Sequence, residues 1–303
     1  MSLARKLLNP WLRLTEKPAL TRAGRPVALR RSFELKARFF FRAPRGTAHA
    51  HDRLADVPIQ WVTARDVARS DAPLILYLHG GGYVFGSSVT HRAMLGRLSA
   101  ICGLPACLPD YRLAPEHPFP AAINDALAVY AALADRPGGM ILGGDSAGGG
   151  LALALLGEVL RRNGPPPLGL FAFSPLTDLT LSGESLKRNA RADPLLPASR
   201  AQETVEMYLG GAAADDPRAS PLFARFRGAP PVWLTVSDTE ILLDDTRRMA
   251  ERLRADGADV TEIVTHDLPH VWPFFQGWLP EATQTLRDLG QWISRISQPK
   301  GDS

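Results

Sequence analysis

The sequence predicts an α/β fold, a mostly parallel central sheet with helices on both faces. Short apolar runs of strand length recur through most of the 303 residues, and stretches of helical periodicity fill the gaps between them. The run Leu74-Ile75-Leu76-Tyr77-Leu78 reads as a buried strand, and the alternation of strands with helices argues for a largely parallel sheet covered on both faces. A third observation is local. Gly144-Asp145-Ser146-Ala147-Gly148 follows the apolar Met140-Ile141-Leu142 and precedes an apolar-periodic run from Leu151, so strand, sharp turn and helix succeed one another.

Taken in chain order, residues 1–14 form a basic amphipathic segment whose apolar positions are Leu3, Leu7, Leu8, Trp11 and Leu12. It has neither an unbroken apolar core of signal-peptide length nor a small-residue cleavage site. It is expected either to pack over the site as a helix or to lie on a membrane surface. No stretch approaches the roughly twenty apolar residues of a membrane span, so the expectation is a cytoplasmic protein without stable membrane insertion. The sheet pattern begins near Val57. Strands are predicted at 59–62, 74–78, 105–108, 140–142, 168–173, 232–236 and 260–264, and helices at 122–134, 151–162, 243–254 and 281–297. Between 176 and 222 the strand pattern lapses into an insertion with short helices, including 200–209, closed by Gly210-Gly211. With residues 1–45 this insertion is expected to form a helical cap over a catalytic domain of residues 46–303. Phe39, Phe40, Phe41, Met207, Tyr208 and Leu209 are candidate linings of an apolar pocket beneath it.

Composition narrows the class. Hydrophobic residues make up 45%, enough for a sizeable core and too many for a disordered chain. The net charge of +4 is small and its arginines are scattered, which argues against nucleic acid as a partner. Cys102 and Cys107 sit in apolar surroundings and read as buried free thiols. The seven histidines and two cysteines show no metal-ligand spacing, so neither metal nor cofactor is expected.

The chemistry-bearing residues lie where the predicted strands end. Ser146 occupies a glycine-flanked turn that forces a strained backbone and presents the hydroxyl outward. Upstream, His79-Gly80-Gly81-Gly82 follows the strand at 74–78, and bare glycine amides can donate to an oxyanion. Two histidines follow Ser146. His270, in a loop between Pro269 and Val271-Trp272, is preferred as the base over His266. Four carboxylates, Asp238, Glu240, Asp244 and Asp245, compete for the acid that orients it. Asp244 and Asp245 open a predicted helix, and its dipole accounts for them. Asp238 and Glu240 stay open. The order serine, acid, histidine differs from that of chymotrypsin and subtilisin.

Four segments in this order resemble the bacterial hormone-sensitive-lipase-like esterases, a branch of the α/β-hydrolase superfamily. They are His79-Gly80-Gly81-Gly82-Tyr83, the run Asp110-Tyr111-Arg112-Leu113-Ala114-Pro115-Glu116-His117-Pro118-Phe119-Pro120-Ala121, Gly144-Asp145-Ser146-Ala147-Gly148-Gly149, and Leu268-Pro269-His270. The resemblance covers the chain after about residue 45. Many members carry Asp-Pro-Leu-x-Asp with the first Asp as the acid. Glu240-Ile241-Leu242-Leu243-Asp244 falls on that pattern, which implies Glu240. The resemblance also implies backbone oxyanion donors at Gly81, Gly82 and Ala147, and a loop-shaping role for His79. It further implies a serine carboxylesterase acting on small-molecule esters of short to medium acyl chains. Homodimers are frequent among such esterases, though no interface signal stands out here. Two rivals remain: an amidase or deacetylase with the same triad, and a noncatalytic small-molecule receptor of the same fold. The receptors have lost the histidine, whereas His270 and Ser146 both stand.

Overall fold

A computed structural model describes residues 2–24, 26–67 and 72–297 of the chain. Met1 of the predicted N-terminal helix and residues 298–303 of the expected catalytic domain lie outside them. The strands are β1 (Ala48–Leu54), β2 (Val57–Thr63), β3 (Leu74–Leu78), β4 (Ala106–Pro109), β5 (Met140–Asp145), β6 (Gly169–Phe173), β7 (Val232–Ser237) and β8 (Val260–Thr265). They form one sheet in the order β1-β2-β4-β3-β5-β6-β7-β8. The pairs β1–β2 and β2–β4 are antiparallel and all the others parallel.

The helices are α1 (Leu3–Leu14), α2 (Glu16–Thr21), α3 (Pro26–Phe40), α4 (Ser88–Cys102), α5 (Ala121–Leu133) and α6 (Ser146–Arg161). They continue with α7 (Ser185–Arg188), α8 (Ala201–Leu209), α9 (Leu243–Ala255) and α10 (Pro280–Ile296). Leu153 and Leu156 of α6, Ile123 of α5 and Met249 of α9 pack on one side of the sheet. Met94 and Leu98 of α4 pack with Leu289 and Ile293 of α10 on the other. Each such side chain, fully removed from water, contributes about 1.5–3 kcal/mol. Both faces are therefore covered, which is why β3, β5, β6 and β7 are buried throughout.

Three features differ from the sequence expectation. The predicted strand at 140–142 runs on through Gly143 and Gly144 to Asp145, and the helix expected from Leu151 begins at Ser146 itself. Glycine lowers both propensities, but close packing prevails here. A Cβ on Gly148 would lie 2.2 Å from the Leu78 carbonyl oxygen and 2.3 Å from that of His79. The first strand, β1, has no apolar signature, because it is an exposed edge of sequence Ala-His-Ala-His-Asp-Arg-Leu. It joins β2 through Ala55 and Asp56, both at positive φ, a tight hairpin turn without the usual glycine. Helix α4 is buried along most of its length and carries small and polar residues such as Ser88, Thr90, His91 and Ser99, so it lacks an amphipathic stripe. Cys107 is buried and Cys102 half-buried, both as free thiols, with burial pushing the Cys102 thiol up to about 12.

Candidate active site

Ser146 opens α6 directly after β5, at φ +52°, a conformation that side chains with a Cβ rarely adopt. The parallel strands end on this side of the sheet, and a cavity of about 1070 Å³ opens over them. Ser146, His270, Gly81 and Gly82 all line it. Its other walls are mostly apolar and come from the N-terminal helices and the 176–209 stretch, among them Leu8, Phe33, Leu186 and Val205. Of the aromatic and apolar side chains expected there, Phe40, Phe41 and Met207 line the cavity. Tyr208 instead stacks on Tyr83 at 3.7 Å between ring centres, and Leu209 joins the core. Phe39 points to a separate surface hollow.

His270 Nδ1 lies 2.5 Å from Glu240 Oε2. Both side chains are buried. The other carboxylate oxygen, Oε1, accepts from Ser174 Oγ at 2.8 Å and from the Ser237 amide at 2.7 Å. The Glu240 carbonyl accepts from Asn189 Nδ2 at 2.8 Å. Burial works to lower the His270 pKa. The hydrogen bond and charge of Glu240, reinforced by Asp193 and Asp145, outweigh it and raise the imidazole above the ordinary histidine value.

The rival candidates, Asp238 for the acid and His266 for the base, form a pair of their own. Asp238 Oδ2 lies 2.7 Å from His266 Nδ1 at the surface, and Asp238 Oδ1 accepts from the Asp267 amide. Asp244 and Asp245 do more than complement the α9 dipole. Asp244 accepts from the Ser185 amide, and Asp245 accepts from the amides of Thr177 and Asp178, so they pin the first part of the segment that follows β6 at two points. Burial pushes the Asp245 carboxyl up to about 7.

The glycine loop is held against the elbow from several sides. Asp145 Oδ1 accepts from the Gly80 amide at 2.9 Å and from Tyr77 Oη at 2.8 Å, and lies 3.1 Å from His91 Nε2. Burial alone would raise this carboxyl, but His91, Tyr77 and His79 hold it below the usual range. Gly81 has φ +122°, and a Cβ there would lie 2.2 Å from the Phe85 carbonyl oxygen. Among the described residues the Gly81 and Gly82 amides donate to no backbone acceptor. The Ala147 amide belongs to the first turn of α6, where helical N–H groups have no intrahelical partner. His79 faces away from this chemistry. It is buried, with Nδ1 2.9 Å from the Gly80 carbonyl and its ring stacked on Tyr111 at 4.3 Å, and burial lowers it to about 4.

Sequence reasoning did not assign the supports. Ser174, Asn189 and Ser237 brace Glu240; the Ser237 amide is three residues away in the chain, while only tertiary proximity brings Ser174 and Asn189 there. The segment 110–121, recognised by resemblance alone, is a clamp. Tyr111 Oη donates to the His79 carbonyl, Asp110 caps α4 through Ser88, and the Phe119 amide donates to Tyr208 in α8.

A parallel sheet with a strained serine between strand and helix, and a carboxylate–histidine pair on later strand ends, defines the class of α/β hydrolases. A family model described as the α/β hydrolase fold matches residues 75–274. An esterase of Acinetobacter venetianus is 37% identical over 248 residues, covering 80% of this chain and 81% of that protein. An acetyl-hydrolase of Streptomyces hygroscopicus is 36% identical over 238 residues, covering 77% and 78%. Among solved structures, an esterase of the bacterial hormone-sensitive lipase family superposes with a TM-score of 0.92 at 35% identity, covering 98% of this chain and 99% of that one. EstE5 soaked with p-nitrophenyl butyrate gives 0.91 at 36% identity over the same shares. The chain belongs to the α/β-hydrolase family, in its bacterial hormone-sensitive-lipase-like esterase branch.

Proposed function

We propose that this protein is a serine carboxylesterase that hydrolyses short- to medium-chain acyl esters of small molecules through an acyl-enzyme on Ser146. The observation that carries the reading is the buried 2.5 Å hydrogen bond between Glu240 and His270 on the wall of the cavity into which Ser146 opens. Glu240 fixes the tautomer with the proton on Nδ1, leaving Nε2 free to accept. His270 then takes the Ser146 proton as Oγ attacks the ester carbonyl. The charge that develops on the carbonyl oxygen rests on the amides of Gly81, Gly82 and Ala147. One such donor is worth about a hundred- to a thousandfold in rate. The imidazolium returns its proton to the leaving alkoxide. Water, deprotonated by the same nitrogen, adds to the acyl carbon, and collapse of that intermediate frees the acid and restores Ser146. Asp145 shapes the elbow and the glycine loop without entering the reaction.

Residues 1–45 and the insertion at about 176–222 act as the cap in this reading, placing an apolar roof over the reacting carbonyl so that low dielectric strengthens the oxyanion contacts. The relative named an acetyl-hydrolase favours a second reading for the same residues, removal of acetyl groups. The test is p-nitrophenyl butyrate hydrolysis by wild type and Ser146→Ala, with mass spectrometry of quenched wild type. Turnover that vanishes in the variant, with a butyryl adduct on the Ser146 peptide, is expected. Equal turnover in both proteins would sink the assignment.

A further inference from the structure

Helix α1 leaves apolar side chains on both of its faces. Its buried face carries Leu12 at 1% exposure with Arg5 and Asn9 at 5% and 3%, while Leu3, Leu7 and Leu14 are 73%, 67% and 78% exposed. Both buried polar side chains are hydrogen-bonded to the loop after β8. Arg5 donates to the His266 carbonyl, and Asn9 donates to the carbonyl and carboxylate of Asp267. The outward positions 3, 7, 10, 11 and 14 follow the helical period, so Leu3, Leu7, Pro10, Trp11 and Leu14 form one apolar stripe. Trp11 meets Phe40 of α3 at 6.4 Å between ring centres, and Phe40 meets Phe39 and Trp278. Val27, Leu35 and Phe39 extend the patch along the exposed side of α3. The patch is also continuous with the catalytic cavity, because Leu7, Trp11, Phe40 and Trp278 line its mouth.

The exposed charges of α1 and α3 are all basic, and Glu34 of α3 is half-buried and accepts from Ser87. Lys6, Arg31 and Arg38 are exposed on the same two helices and form no ion pair among the described residues. Helix α1 has no acidic residue, and Glu16, at the start of α2, is paired with Lys36. We propose that this face docks on an anionic lipid surface, with the cavity mouth turned towards the bilayer. Exposed leucines and aromatic rings with interleaved basic side chains are the composition of a helix that lies in the headgroup region. No described helix is long and apolar enough to cross a membrane, so the contact is peripheral. A second copy of the chain is disfavoured on this patch, because a twofold pairing would bring the same basic side chains together. The docking does not depend on the catalytic assignment, since it is read by binding alone.

The experiment is cosedimentation of the full chain with vesicles of phosphatidylcholine alone and with a 3:1 mixture of phosphatidylcholine and phosphatidylglycerol (a ratio of about that size suffices). The wild type is expected to partition onto the anionic vesicles and to be released by high salt. Leu3→Ser/Leu14→Ser/Leu35→Ser, at exposed positions outside the cavity, is expected to weaken partitioning by about tenfold or more while retaining p-nitrophenyl butyrate turnover. Lys6→Glu/Arg38→Glu is expected to remove the preference for anionic vesicles. The proposal is overturned if the wild type stays in the supernatant with both vesicles. It is equally overturned if the triple-serine variant, folded by circular dichroism, partitions like wild type. A wild-type dimer that the triple-serine variant converts to monomer, with no vesicle binding, would assign the patch to self-association instead.

Discussion

Replacing Glu240 by glutamine removes one charge and converts one acceptor oxygen into a donor, in a site with no room for either. The carboxylate has three donors around it: His270 Nδ1 at Oε2, and Ser174 Oγ with the Ser237 amide at Oε1. If the glutamine oxygen keeps the two donors at Oε1, its NH2 faces His270 Nδ1. The imidazole proton must then move to Nε2, the nitrogen that has to accept from Ser146. If the oxygen turns to His270 instead, the NH2 opposes the Ser237 amide, and a buried clash of donors costs about 1–3 kcal/mol. The first arrangement leaves the fold intact and the tautomer wrong. Losing the correct tautomer in such a triad lowers kcat about ten-thousandfold, which is about 5.5 kcal/mol of transition-state stabilisation. Asp238 is half-buried and bound to His266, so Asp238→Asn is expected to stay within about threefold of wild type, a surface ion pair being worth under about 1 kcal/mol. The assay is kcat and KM for p-nitrophenyl butyrate, with circular dichroism as a fold control. The reasoning is refuted if Glu240→Gln retains turnover near wild type while Asp238→Asn abolishes it.

Two further outcomes follow from the same geometry. His270 must be neutral to accept a proton, and its pKa is raised, so the acid limb of kcat/KM should lie above pH 6.5 and move down in residual-activity measurements on Glu240→Gln. By linkage, a histidine raised on folding contributes stability that is complete below its unfolded value and is lost as pH rises through the folded value, a loss that urea titrations should find absent in Glu240→Gln. The elbow stores strain at φ +52° that only a residue without a Cβ relieves. Ser146→Gly should therefore unfold later in urea than Ser146→Ala by about 1 kcal/mol, although both lack the hydroxyl; equal midpoints would remove the strain argument.

Much of the fold was legible because burial on both faces writes itself as uninterrupted apolar runs. The inner strands β3 to β7 are buried along their length, and the three candidate residues Ser146, Glu240 and His270 each follow a parallel strand. The exceptions share a cause. Strand β1 is an edge held by main-chain hydrogen bonds and a glycine-free turn, and such bonds leave no side-chain pattern. Helix α4 is enclosed on nearly every side, so it has no wet face to set against a dry one. At the candidate site, glycine spacing and strand ends single out Ser146, the glycine loop and the two histidine candidates. Residue types alone left Asp238 and Glu240 level, because either carboxylate can accept an imidazole proton. Two positions apart on one loop, they point to different histidines: Asp238 towards His266 at the surface, Glu240 inward to His270 with Ser174 and Ser237 behind it. The identity of a strand end is local information carried by a few consecutive residues. Which way a side chain turns from that end depends on partners 30 and 66 residues away in the chain, and only the folded packing brings those together.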